Sequence, residues 1–126
     1  MNIGHDSWTQ TQLDNAYNTA DGLGFKLLIS FDIWPWTVND VAQLINRYKD
    51  RSSQFKVENR PFVSTFEGVD FKDNWADVRN SVSGDIFLVP AWTSLGPRDF
   101  SQQVSKVDGA CTFLHYALNT PLMCPS

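Results

Sequence analysis

What this chain lacks narrows its function first. No G-x-G-x-x-G or P-loop glycine pattern follows any of its apolar runs, so the phosphate-cradling turn of nucleotide-binding sheets is missing. Lysine and arginine number 10 against 14 acidic residues, a net charge of −4, which leaves no cationic footprint for a phosphate backbone and excludes nucleic acid as a partner. No apolar run approaches the roughly 20 residues that span a bilayer. The polar start MNIGHDSWTQ also lacks the basic cluster and apolar core of an export leader, so neither anchor nor leader is expected within this stretch. There are only two histidines, His5 and His115, and no H-E-x-x-H helix, so no metal site is expected. The two cysteines, Cys111 and Cys124, lack zinc-ligand spacing; a disulfide in an oxidising compartment and a pair of reduced thiols are both open readings. Without a G-x-S-x-G elbow, serine hydrolase chemistry is set aside, and Ser30 and Ser64 read as strand serines with local hydrogen bonds. No N-x-S/T sequon occurs.

What remains is apolar and aromatic. At 126 residues, 42% hydrophobic and 13% aromatic, the chain is one domain's worth of material with enough to build a core. Trp8, Leu13, Ala16, Tyr17 and Ala20 recur at helical spacing, with Asp6 or Ser7 as candidate cap and Gly22 and Gly24 as stops. FKLLISFD, residues 25 to 32, is too continuous for a half-solvated strand and too short for a buried helix, so it reads as a strand buried on both faces. Val41, Leu44, Ile45 and Tyr48 predict a helix from Asn39, its cap, to Asp50. PFVSTFEG (61 to 68) and DIFLVPAW (85 to 92) are further strands, and VDGACTF (107 to 113) is a candidate fourth. Phe71, Trp75, Val78 and Val82 mark a third helix face, with Trp75 as core, and Phe100, Val104 and Val107 a weaker fourth.

Buried strands alternating with amphipathic helices give an α/β class with a parallel sheet, of either barrel or doubly wound type. In such a sheet the residues ending each strand collect on one rim, where α/β enzymes do chemistry. Here the runs end in Phe31-Asp32, Phe66-Glu67-Gly68 and Pro90-Ala91-Trp92. A carboxylate at the mouth stays hydrated and avoids the several kcal/mol that burial would cost. If their strands are adjacent, about 4.8 Å apart, Asp32 and Glu67 fall within about 5 to 9 Å, the separation glycoside hydrolysis uses. Trp92, or Trp34 and Trp36 after Asp32, offers a flat face for a sugar ring. The alternative for either carboxylate is a structural cap held by backbone N–H groups or by an arginine such as Arg79.

The series NIGHDSWTQTQLDNAY, GFKLLISFD, QFKVENRPFVSTFEG, FLVPAWTSLGP and DGA resembles, in order and spacing over about residues 2 to 110, the catalytic domain of glycoside hydrolase family 71, the fungal α-1,3-glucanases or mutanases. The resemblance implies a (β/α)8 TIM-type barrel, inverting hydrolysis of cell-wall α-1,3-glucan, no cofactor and an extracellular location. It places a strand immediately ahead of Asn2, a partial barrel domain over 1 to 110 and a divergent tail over 111 to 126. It also puts Asp32, Glu67, Trp92 and Asp108 on the glycan cleft, with Asp6 beside the first loop; Trp34, from the loop after Asp32, remains a substrate-binding candidate on the residue reading. The resemblance further sets the family's acid and base on a later W-N-D-Y-G-E stretch, which this chain does not contain. Asp32 and Glu67 are then the catalytic candidates within the chain, and a non-catalytic glucan-binding or non-functional remnant is the alternative. A barrel takes about 250 residues, so about half is expected here, with two open sheet edges that invite self-association.

Overall fold

The computed structural model describes residues 1–111. Its elements run β1 (Asn2–Ile3), α1 (Thr9–Leu23), β2 (Ile29–Asp32), α2 (Val38–Tyr48), β3 (Lys56–Val57), β4 (Arg60–Phe66), α3 (Trp75–Ser81), β5 (Phe87–Ala91) and α4 (Pro97–Ser101), with a 3₁₀ turn over Val69–Asn74. Four strands form a parallel sheet in chain order: β1 pairs β2, β2 pairs β4 and β4 pairs β5. The fold class is α/β, as the alternating pattern implies.

The helices cover one face. Ile3, Ile29, Phe31, Val63 and Leu88 from the strands pack with Leu13 and Tyr17 of α1, Val41, Leu44 and Tyr48 of α2, and Trp75 and Val78 of α3 in a single core cluster. The opposite face carries a smaller group, Phe62, Val89, Ala91 and Cys111, with half-buried Leu28, Phe55 and Phe87 against it. Alternation along a strand explains the division, because successive side chains point to opposite faces. It also corrects one expectation. β2 is not buried on both faces: Ile29 and Phe31 are buried, Ser30 is half-buried and Asp32 is exposed. Residues 25 to 28 precede the strand, and Phe25 lies in solvent.

Local chemistry sets the element ends. α1 stops at Gly24, whose left-handed φ of 73° lets its N–H reach the Ala20 carbonyl, a glycine C-cap. Its start has no side-chain cap from Asp6 or Ser7; instead the Thr9 hydroxyl bonds the Gly4 carbonyl. α2 begins ahead of the expected Asn39 because the Thr37 hydroxyl accepts from the Asp40 N–H at 3.2 Å. The helices are then locked together: Arg47 grips Asp14 through two hydrogen bonds of 3.0 and 2.9 Å, and the Tyr48 hydroxyl donates to the same carboxylate at 2.6 Å.

Two features lie outside the sequence expectations. β3 and β4 form a tight antiparallel hairpin around Glu58 and Asn59, both at positive φ, the geometry of a two-residue turn. The segment expected as a fourth main strand is not a regular strand over its described part; Asp108 and Cys111 donate to Leu88 and Pro90 along the free edge of β5 at 2.8 and 2.9 Å, and residues 112 and 113 lie outside the described residues. One expected open edge is therefore lined, while β1, itself Asn2–Ile3 rather than a strand ahead of them, pairs with β2 alone among the described strands.

Candidate functional site

The parallel direction of β1, β2, β4 and β5 brings their C-terminal ends to one rim. Register fixes the spacing: Asp32 on β2 is the cross-strand partner of Phe66 on β4, and Phe66 in turn pairs with Ala91 on β5. Glu67 follows Phe66 directly, so the α-carbons of Asp32 and Glu67 lie about 6 Å apart on a strand spacing of about 4.8 Å. The register thus sets the two residues that the sequence singles out at neighbouring backbone positions on the rim. Asp32 is exposed, and Glu67 is half-buried.

Glu67 is positioned from both ends. Its backbone takes a left-handed φ of 53° and its N–H donates to the Ala91 carbonyl at 3.0 Å. Gly68 then turns the chain at φ 84°, and a Cβ there would lie 2.4 Å from Ile33 Cγ2. Only glycine fits that approach, which seats the loop after β4 against the residue following Asp32. At the far end, the Ser94 N–H and hydroxyl donate to Glu67 Oε2 at 3.2 and 2.8 Å.

Two aromatics complete the rim. Trp34, on the loop after β2, is 86% exposed, and Phe66, which shares a face with Asp32 by register, is 52% exposed. Phe66 and Ser94 were not among the sequence candidates. For Phe66 the signal was present, since it ends a strand on the same face parity as Asp32; for Ser94, in a loop, there was none.

Two sequence candidates sit elsewhere. Trp92 is 2% exposed and packs against Phe100 with ring centroids 5.8 Å apart; it is a core residue beneath the rim and presents no face to a sugar. Asp108 lies at the opposite, N-terminal end of the strands. It accepts from Arg79 at 2.8 Å, from Arg60 at 3.1 Å and from the Leu88 N–H at 2.9 Å, with Asp85 sharing both arginines. Burial alone would raise the Asp108 carboxyl, but Arg79, the Leu88 N–H and Arg60 together hold it below the usual carboxylate range. The arginine-held form of the structural alternative is filled by Asp108, while Glu67, which accepts from the Ser94 N–H, has the backbone-held contact of that alternative.

Asp6 lines a polar cavity of about 350 Å³ just past the C-terminal end of β1, together with His5, Trp36, Asp40 and Arg47. There His5 Nε2 lies 3.2 Å from Asp40 Oδ2 and meets the buried Trp36 ring edge-on at 4.7 Å. The Thr37 hydroxyl and then His5 hold the Asp40 carboxyl below its ordinary range. Among the described residues no group of three or more histidine, cysteine, aspartate or glutamate side chains could hold a metal ion, and no helix is long and apolar enough to cross a membrane. Cys111 is buried; Cys124, its candidate partner, and His115 lie outside the described residues.

Comparison with known proteins agrees with the resemblance. Residues 1–120 match the model of glycosyl hydrolase family 71. A glucan endo-1,3-alpha-glucosidase of Schizosaccharomyces pombe is 30% identical over 83% of this chain and 28% of its own length. A mutanase of Penicillium rubens is 33% identical over 86% and 24%, and an ascus wall endo-1,3-alpha-glucanase of Schizosaccharomyces pombe 27% identical over 88% and 29%. No solved structure matches the chain. The chain belongs to glycosyl hydrolase family 71, and it spans 24% to 29% of the length of these curated relatives.

Proposed function

We propose that this family 71 chain supplies one wall of an α-1,3-glucan cleft at the C-terminal rim of its parallel sheet, within a domain that hydrolyses that polysaccharide outside the cell. The observation that carries the reading is the register of β2 and β4, which sets Asp32 beside Phe66 and Glu67, with Trp34 two residues after Asp32 and exposed. Carboxylates take sugar hydroxyls, and an exposed indole takes the C–H face of the ring. Helices on one face of strands in chain order favour the partial (β/α)8 barrel over a doubly wound sheet, whose helices would cover both faces. In a barrel the other face, with Phe62, Phe87 and Val89, would be the interior.

A second reading is non-catalytic glucan binding, in which the same rim holds the polysaccharide without cleaving it. Insoluble α-1,3-glucan separates the two. Retention on the polysaccharide is expected, weakened about tenfold, or about 1.4 kcal/mol, by each of Asp32→Asn, Glu67→Gln and Trp34→Ala. Release of reducing sugar that disappears in the carboxylate variants assigns hydrolysis to this chain; retention without release assigns binding. Wild-type protein that stays in the supernatant sinks both.

A further inference from the structure

We infer that Ser94 is the positioning residue of this rim: it saturates one oxygen of the Glu67 carboxylate so that the other is presented, already oriented, to a glucosyl hydroxyl. This rests on the glucan reading above and deepens it. Both Ser94 donors, the backbone N–H at 3.2 Å and the hydroxyl at 2.8 Å, converge on Oε2. They come from the loop after β5, whereas Glu67 ends β4. The carboxylate head is therefore tied to a different strand from its own backbone.

The backbone conformation argues that this pairing serves more than loop closure. Glu67 stands at φ 53°, a region that is sterically costly for a side-chain-bearing residue and that glycine or asparagine enters more easily. A turn needing only to reverse would be more stable with either. The strain is held in place by Gly68, pressed against Ile33, and by the Glu67 N–H on the Ala91 carbonyl. Ile33 follows Asp32, so the same wedge fixes the Glu67 backbone relative to the Asp32 carboxylate. An unrestrained glutamate loses rotamer freedom when a ligand orders it; one already clamped loses little, which is how preorganisation strengthens binding.

The test uses the full chain and a soluble α-1,3-linked gluco-oligosaccharide. Ser94→Ala is expected to weaken its Kd by roughly fivefold to tenfold, because a Glu67 side chain freed of the hydroxyl must give up part of its rotamer freedom on binding. Ser94→Thr, which keeps both donors, should restore most of the affinity, and Ser94→Ala should add no further loss in a Glu67→Gln background. Unfolding midpoints measured alongside separate this from a general loss of structure, which the threonine rescue and the coupling would not reproduce. Full affinity in Ser94→Ala, or additive losses in the double variant, overturns the assignment. If the wild-type chain does not bind the oligosaccharide, the glucan reading falls on its own. The Ser94 amide then decides the pairing: its proton resonance should move as the carboxylate is protonated, and not in Glu67→Gln, whereas an amide indifferent to that titration overturns it.

Discussion

Glu67 and Asp108 are both carboxylates next to strand ends, and their partners give them opposite work. Asp108 spends its oxygens on two arginines and a backbone N–H, and its side chain is only 20% exposed. Glu67 has one serine and faces the rim. Asp108→Asn is therefore expected to lower stability by about 1 to 3 kcal/mol, from lost charge-assisted hydrogen bonds, measured by denaturant titration, while leaving glucan retention intact. A variant as stable as wild type but unable to bind polysaccharide would return Asp108 to the cleft. Chain position alone could have separated the two: Asp108 opens its candidate strand, residues 107 to 113, whereas Asp32 and Glu67 close theirs. Trp92 could not be resolved that way, because an aromatic just past a strand caps a core as readily as it floors a cleft, and only packing against Phe100 decides.

Between elements, the contact of Gly68 with Ile33 couples the loops after β2 and β4. Gly68→Ala forces a Cβ into the Ile33 side chain at a backbone angle that disfavours it. The expected destabilisation is about 2 to 4 kcal/mol, overpacking added to left-handed strain. Ile33→Ala in the same chain should recover only the steric part, so the double variant should be more stable than the sum of the singles predicts; thermal or urea unfolding of the four proteins measures this. The periodic elements were legible because strands and helices here obey their own periods: 61 to 67 and 85 to 91 anticipate β4 and β5 closely, and α2 begins close to its predicted start. The hairpin was hidden because β3 is Lys56–Val57 alone, too short to alternate, and its turn carries Glu58 and Asn59 rather than the glycine that usually marks such turns. The helical pattern over Phe71 to Val82 was real but began as a 3₁₀ turn, which shares only the i, i+3 interval with an α-helix.

At the scale of the molecule, acid should unfold it through its ion pairs. Asp14, held mainly by Arg47 and Tyr48, and Asp21, held first by Ser53 and then by Arg51, both sit below the ordinary carboxylate range, as do Asp85 and Asp108. A carboxyl whose folded pKa lies below its unfolded value of about 4 contributes stability that is present above that pH and lost as pH falls through the folded value. Urea midpoints are expected to be level from neutral pH down to about 5 and to decline below about 4; a flat profile down to about pH 2 would show these pairs to be inert. The β1 edge, paired on one side among the described strands, is expected to drive concentration-dependent association, read by sedimentation velocity; a monomer at every concentration would refute this. Finally, the uneven exposure of the five tryptophans gives the protein a built-in optical probe. Trp36, Trp75 and Trp92 are shielded, leaving Trp8 and Trp34 within reach of a collisional quencher. With Trp8 replaced by phenylalanine, iodide would extinguish emission from the Trp34 indole alone, and a saccharide lying on that ring would restore the light without any label.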